Sequence, residues 1–211
     1  MVERQLRGRG IRDERVLRAM ATVPRERFVP EGLVDEAYDD DALPIEDGQA
    51  ISQPYMVGWM TELLEVEPGG HVLEIGTGTG YQAAVLATMG AQVRTIERLP
   101  RLAAGARDRL ERLGLAGAVE VIEADGSLGD PASAPHRRVI VTAGAPVVPG
   151  PLLEQLDEGG RLVIPVGVAS NQQLVLVTRR HGRLVETPVG GCAFVPLIGA
   201  AAFRPGEVGP V

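Results

Sequence analysis

The chain of 211 residues has a single cysteine, so Cys192 cannot form an internal disulfide, and a reducing compartment is expected. Aromatic residues are 3% of the chain, too few for the stacking platforms that hold single-stranded nucleic acid. Positive charge is in the minority: 21 basic against 28 acidic residues give a net charge of −7, without the basic footprint that phosphate backbones require. Long apolar runs are missing too. The N-terminal Met1 to Gly10 lacks the apolar centre of a signal peptide, and Cys192 to Phe203 is too short to span a bilayer. His71, His136 and His181 are scattered, so no metal site is expected. These absences leave a soluble, cytoplasmic protein, expected to be a monomer, with neither nucleic acid nor membrane as partner.

What is present suits one compact domain, since 45% of the residues are hydrophobic. Residues 1–60 read as a helical and irregular segment, in which Asp13 caps a short helix with Val16, Leu17 and Met20 on its apolar face. Asp39 to Asp41 read as a solvated acidic turn. Pro54 opens a helix carrying Met56, Trp59, Met60, Leu63 and Leu64. Residues 61–211 form an α/β core in which strands at 71–75, 92–97, 118–122, 138–142 and 161–166 alternate with helices, followed by strands at 173–178 and 189–195. Such alternation predicts a doubly wound, mostly parallel sheet, because parallel neighbours need crossover helices.

Gly76-Thr-Gly-Thr-Gly80 follows a strand and opens a helix, the context in which a glycine loop binds a ligand at the carboxyl ends of the strands. Glu97 ends the next strand on the same rim, where a carboxylate accepts both hydroxyls of a ribose. The dinucleotide pattern would place its third glycine at Tyr81, and no Lys-Ser/Thr pair follows, so a phosphate-free adenosine ligand with a methionine tail fits better. Asp125, before Gly126, is placed to accept from an adenine amino group, and Glu74 either contacts the ligand or orients the backbone.

Leu43-Pro-Ile-Glu-Asp-Gly-Gln-Ala-Ile-Ser-Gln-Pro-Tyr-Met56 resembles the segment that precedes the cofactor domain in the protein-L-isoaspartate O-methyltransferases. The resemblance continues through Val23 to Phe28, Val72 to Gln82, Val141 to Ala143, Gln155 to Gly160, Pro165 to Gly167 and Phe194 to Leu197, covering nearly the whole chain in order. It implies a seven-stranded methyltransferase-like sheet, S-adenosyl-L-methionine as cofactor, and methyl esterification of the free α-carboxylate of L-isoaspartyl residues in damaged proteins and peptides. By the same resemblance Ser52 is the active-site serine, Gln49, Ala50, Ile51 and Ser52 close over the cofactor, and Gly76, Gly78, Glu97, Asp125 and Gly126 contact it. Val195, Pro196 and Leu197 then line the substrate groove.

Ala50, Ala124 and Arg137 depart from the family pattern. Ala50 and Arg137 keep open an alternative, a carboxyl methyltransferase acting on an aspartate of a modified biosynthetic peptide. Thr142-Ala-Gly-Ala-Pro146 lacks the Asp/Asn-Pro-Pro-aromatic clamp of nucleic-acid amino methyltransferases. The implied acceptor is already ionised near neutral pH, so the reaction needs no general base. No G-x-S-x-G elbow makes Ser52 a nucleophile, and a hydrogen-bonding role is expected of it.

Overall fold

The computed structural model describes residues 1–168 and 171–207. Asp13 caps α1 (Glu14–Thr22) by accepting from the Arg15 N–H at 2.8 Å, and Val16, Leu17 and Met20 are buried, as the sequence predicts. The N-terminal segment also contains a ribbon that a helical and irregular reading omits. Here β1 (Leu43–Pro44) pairs antiparallel with β2 (Ala50–Ile51), Pro44 opposite Ala50. Two-residue strands show no alternation long enough to read, and the loop between them turns through left-handed Asp47 and Gly48. The expected acidic turn is partly a tie: Asp40 pairs with Arg9 and accepts from the Tyr55 N–H.

Helix α2 (Pro54–Leu64) begins with proline in its first turn, where the missing N–H goes unused, and runs through the expected division at residue 60. The α/β part then follows as β3 (His71–Ile75), α3 (Tyr81–Thr88), β4 (Gln92–Glu97), α4 (Pro100–Arg112), β5 (Val119–Glu123), β6 (His136–Val141), α5 (Gly150–Glu154), β7 (Leu156–Val168), β8 (Asn171–Arg180) and β9 (Arg183–Cys192). These strands form one seven-stranded sheet in the order β5-β4-β3-β6-β7-β8-β9. Pairing is parallel from β5 to β7, and β8 and β9 add antiparallel. The chain works outward from β3 to β5, then returns to lay β6 on the other side of β3. That reversal opens a crevice beyond the carboxyl ends of β3 and β6, where ligands of open α/β sheets bind.

Successive strand residues face opposite sides of the sheet and so enter different cores. Val72, Ile140 and Val163 join the cluster that also holds Leu6, Met20, Phe28 and Ile51 from the N-terminal segment and Val85 and Leu86 from α3. Leu73, Val139, Val141 and Leu162 join a second cluster with Leu152 of α5 and Leu197. The N-terminal segment is therefore packed onto one face of the sheet.

The last strand differs from the expected 189–195. The β8–β9 hairpin turns on His181 and Gly182, both left-handed, and the Glu158 carboxylate accepts from both of their N–H groups. This turn starts β9 at Arg183, in a stretch exposed through Pro188 whose adjacent Leu184 and Val185 show no alternation. An exposed edge strand also tolerates Pro188. Beyond Cys192 the chain leaves the edge and returns to the centre of the sheet.

Candidate active site

Gly76, Gly78 and Gly80 have φ of 95°, 54° and 89°, a region that side chains rarely enter. At Gly76 the need is steric as well, because a Cβ would lie 2.5 Å from the Thr142 hydroxyl oxygen. That hydroxyl donates to the Gly76 carbonyl at 2.6 Å, tying the loop after β3 to the end of β6. The Gly76 N–H donates to the Ile96 carbonyl at 2.9 Å, tying it to β4. Tyr81 does not crowd the strands. Its ring is buried in the N-terminal segment, 5.4 Å from Phe28 and edge-on to it. Gly80 meets α4 instead, its Cβ position 3.4 Å from Ala106.

Two carboxyl groups flank this loop in different surroundings. Glu97 accepts from the Gly78 N–H at 2.9 Å through one oxygen and from the Leu99 N–H at 3.0 Å through the other. Glu74 is fully buried, and neither of its oxygens has a hydrogen-bond partner. Burial pushes its carboxyl up to about 8, and the charge of Glu97 adds to the rise. Glu74 is thus held largely protonated at neutral pH.

Eleven of the residues expected at the site wall one cleft open to solvent: Gln49, Ala50, Ile51, Ser52, Gly76, Gly78, Glu97, Gly126, Val195, Pro196 and Leu197. Two do not reach it. Glu74 lies in the sheet, and Asp125 is turned toward the C-terminal segment, where it accepts from the Ala200 N–H and from the Ser127 hydroxyl at 2.7 Å each. Partial burial would raise the Asp125 carboxyl, but the Ala200 N–H and the Ser127 hydroxyl and N–H outweigh it and hold the group below the usual range. Gly126 does line the cleft, and a Cβ there would come within 2.5 Å of the Ile75 side chain.

The segment from Val195 to Leu197 docks beside the extension of β6. Gly144 donates to the Val195 carbonyl at 2.8 Å and accepts from the Leu197 N–H at 2.7 Å. Buried Gln172 of β8 pairs with Phe194 like a short piece of strand, its amide accepting from the N–H at 2.7 Å and donating to the carbonyl at 2.9 Å.

Ser52 is half-buried in the opposite wall and does not cap α2, whose N-cap is Gln53 without a side-chain bond. What holds Ser52 is a residue assigned no role from the sequence. Arg25 is fully buried, donates through Nη2 to the Ser52 carbonyl at 2.9 Å and through Nε to the Ala37 carbonyl at 2.7 Å. Its position in the Val23 to Phe28 segment was the only available signal. Gln82, Arg98 and Thr142 also line the cleft. Arg137 lies at the start of β6 beside Gly159 and does not line the cleft, so it lends no support to an altered acceptor. Cys192 is not among the residues lining the cleft, and burial pushes its thiol up to about 11. Among the described residues no cluster of His, Cys, Asp or Glu could hold a metal ion, and no helix is long and apolar enough to cross a membrane.

A parallel sheet with its switch point over a glycine loop, an acidic residue closing the next strand and a separate segment folded over the cleft defines a methyltransferase. The family model described as "Protein-L-isoaspartate(D-aspartate) O-methyltransferase (PCMT)" matches residues 1–202, and the chain belongs to that family. It is 53% identical to the protein-L-isoaspartate O-methyltransferase of Methanoculleus marisnigri over 210 residues, covering 100% of this chain and 94% of the relative. With protein-L-isoaspartate O-methyltransferase 2 of Pelobacter propionicus identity is 55%, covering 96% and 91%. A solved protein-L-isoaspartate O-methyltransferase superposes with a TM-score of 0.85 at 29% identity over 96% of this chain and 67% of that one. A Plasmodium falciparum structure in complex with S-adenosyl-L-homocysteine shares the fold, with a TM-score of 0.82 at 24% identity over 93% and 96% of the two chains.

Proposed function

We propose that this chain uses S-adenosyl-L-methionine to esterify the free α-carboxylate of L-isoaspartyl residues in damaged proteins and peptides. The observation that carries the reading is the cleft, whose walls join the glycine loop and Glu97 to Ser52 and to the segment from Val195 to Leu197. The residues fit the donor. Space beside Gly78 is open, with no atom within 4 Å of a Cβ position, and each Glu97 oxygen keeps a lone pair for a ribose hydroxyl. Arg98 is the one basic residue in the lining among the described residues, in keeping with a ligand without phosphate.

When bound, the donor supplies a methyl group on a positively charged sulfur. The protein's own tasks are orientation and exclusion of water. The acceptor oxygen carries no proton near neutral pH, so no side chain has to remove one. Ile51, Val57, Val195 and Leu197 surround it with apolar surface, and fixing the reacting atoms in line supplies the orientation that solution lacks. In this reading the Ser52 hydroxyl donates a hydrogen bond that aims the carboxylate, and Gln49 to Ser52 close over the donor. The enzyme is read as a cytoplasmic monomer acting on proteins and peptides. Its lone cysteine suits a reducing compartment, and its net charge of −7 disfavours nucleic acid as a partner.

The deciding experiment supplies donor labelled in its methyl group and two matched peptides, one L-isoaspartyl and one L-aspartyl. Base-labile label is expected on the first alone. Equal labelling of both, or of neither, would overturn the reading.

A further inference from the structure

Among the described residues Arg25 is the largest fully buried side chain, and no carboxylate pairs with it. Its guanidinium spends two donors on the Ala37 and Ser52 carbonyls, and its Cζ lies 4.8 Å from the centre of the Tyr81 ring. The third nitrogen, Nη1, is buried with no partner. An unpaired buried cation is costly, which appears here as a guanidinium pulled below its usual range by burial. A clamp on the Ser52 carbonyl needs only a neutral donor. The full charge therefore asks for a further role, and two of the residues it touches supply the context: Ser52 and Tyr81 both line the cleft, which places Arg25 behind that wall.

We infer that Arg25 is a specificity-determining positioning residue, a fixed cation behind the Ser52–Tyr81 wall that selects a negatively charged acceptor. The inference rests on the carboxylate methylation proposed above. Because that reaction merges a cation and an anion into neutral species, a nearby positive charge favours the bound carboxylate more than the transition state, in which the negative charge has partly dissipated. Arg25 therefore acts on acceptor affinity and selectivity, and does not lower the barrier to transfer. Burial keeps its field from being screened by salt. The Ser52 clamp is the route by which it also holds that wall in place.

The test is equilibrium binding, in saturating S-adenosyl-L-homocysteine, of an L-isoaspartyl peptide and of its twin whose isoaspartyl α-carboxylate is a carboxamide. Wild type is expected to prefer the carboxylate by about tenfold, with the ratio unchanged between low and moderate salt. Arg25→Met and Arg25→Gln should bring the ratio near one, and Arg25→Lys, which keeps charge but loses the fork, should restore most of it. A residue that only clamps Ser52 gives the opposite pattern, with all three variants weakening both peptides alike and leaving the ratio unchanged. That outcome overturns the inference, as does a wild type that binds the two peptides equally, which needs no variant to fold. Melting curves and titration of S-adenosyl-L-homocysteine identify variants that are folded. Failure of the methylation reading is seen separately, as unlabelled isoaspartyl peptide with wild-type enzyme.

Discussion

The two walls of the cleft are built by different means. The rim wall, from Gly76 to Gly80 with Glu97 and Thr142, stands on the ends of paired parallel strands and owes its shape mostly to main-chain geometry. The facing wall, made by residues 49–52 and 195–198, also relies, at its edges and flanks, on side chains that reach across long stretches of sequence: Arg25 to Ser52, Gln172 to Phe194, and Asp125 and Ser127 to Ala200 and Ala201. Damage to the first wall should therefore strike folding and donor binding together. Damage to the second should strike the acceptor and turnover more than donor affinity.

The largest effect is expected at Gly76. Gly76→Ala combines a left-handed backbone with a Cβ 2.5 Å from an oxygen, so stability should fall by about 3 kcal/mol and affinity for S-adenosyl-L-homocysteine by at least about tenfold. Calorimetry reads both, and a variant with wild-type values would dissolve the contrast. On the facing wall, Ser52→Ala should lower turnover by about thirtyfold while leaving that affinity intact. Turnover within about twofold of wild type would remove Ser52 from the chemistry.

Asp125→Ala sharpens the boundary between the walls. As a clamp on Ala200, Asp125 should contribute about 1–2 kcal/mol to stability, and its loss should raise the peptide KM without changing donor affinity. Were Asp125 an adenine contact, donor affinity would fall instead. The clamp should also weaken in acid. Its pKa is depressed on folding, so its stabilisation is present above the ordinary aspartate range and lost as pH falls through the folded value.

At Glu74 the expected effect is of another kind, set by pH. Its folded pKa is raised from the ordinary glutamate range to about 8, so its contribution is full below the unfolded value and is lost as pH rises toward 8. Across that window wild type should lose about 1 kcal/mol per pH unit relative to Glu74→Gln. Parallel melting profiles for the two proteins would show that Glu74 is not held protonated.

The rim wall was largely readable from the sequence. Buried parallel strands write themselves as short apolar runs, and a glycine loop between strand and helix has a local signature. Within two residues, β3, β4 and β5 stand where expected. The facing wall was legible only through resemblance, which named Ser52 and residues 195–197 without showing what holds them. Nothing local marks Arg25 or Gln172 as its supports, because their partners lie 27 and 22 residues away. Asp125 shows the limit most clearly. Its place on the rim suggested a ligand contact, and nothing local announces the hydrogen bond it accepts from a residue 75 positions later. The exposed half of β9 escaped detection because an edge strand in water needs no apolar face.

The pairing of Gln172 with Phe194 has a mechanical consequence. A strand in a sheet is held by a ladder of rungs, whereas here one amide side chain, two Gly144 bonds and one from the Phe203 N–H fasten the stretch from Phe194 to Leu197. Phe194 is buried in one core and Leu197 in the other, so these few bonds secure a link between the two faces of the sheet at the mouth of the cleft.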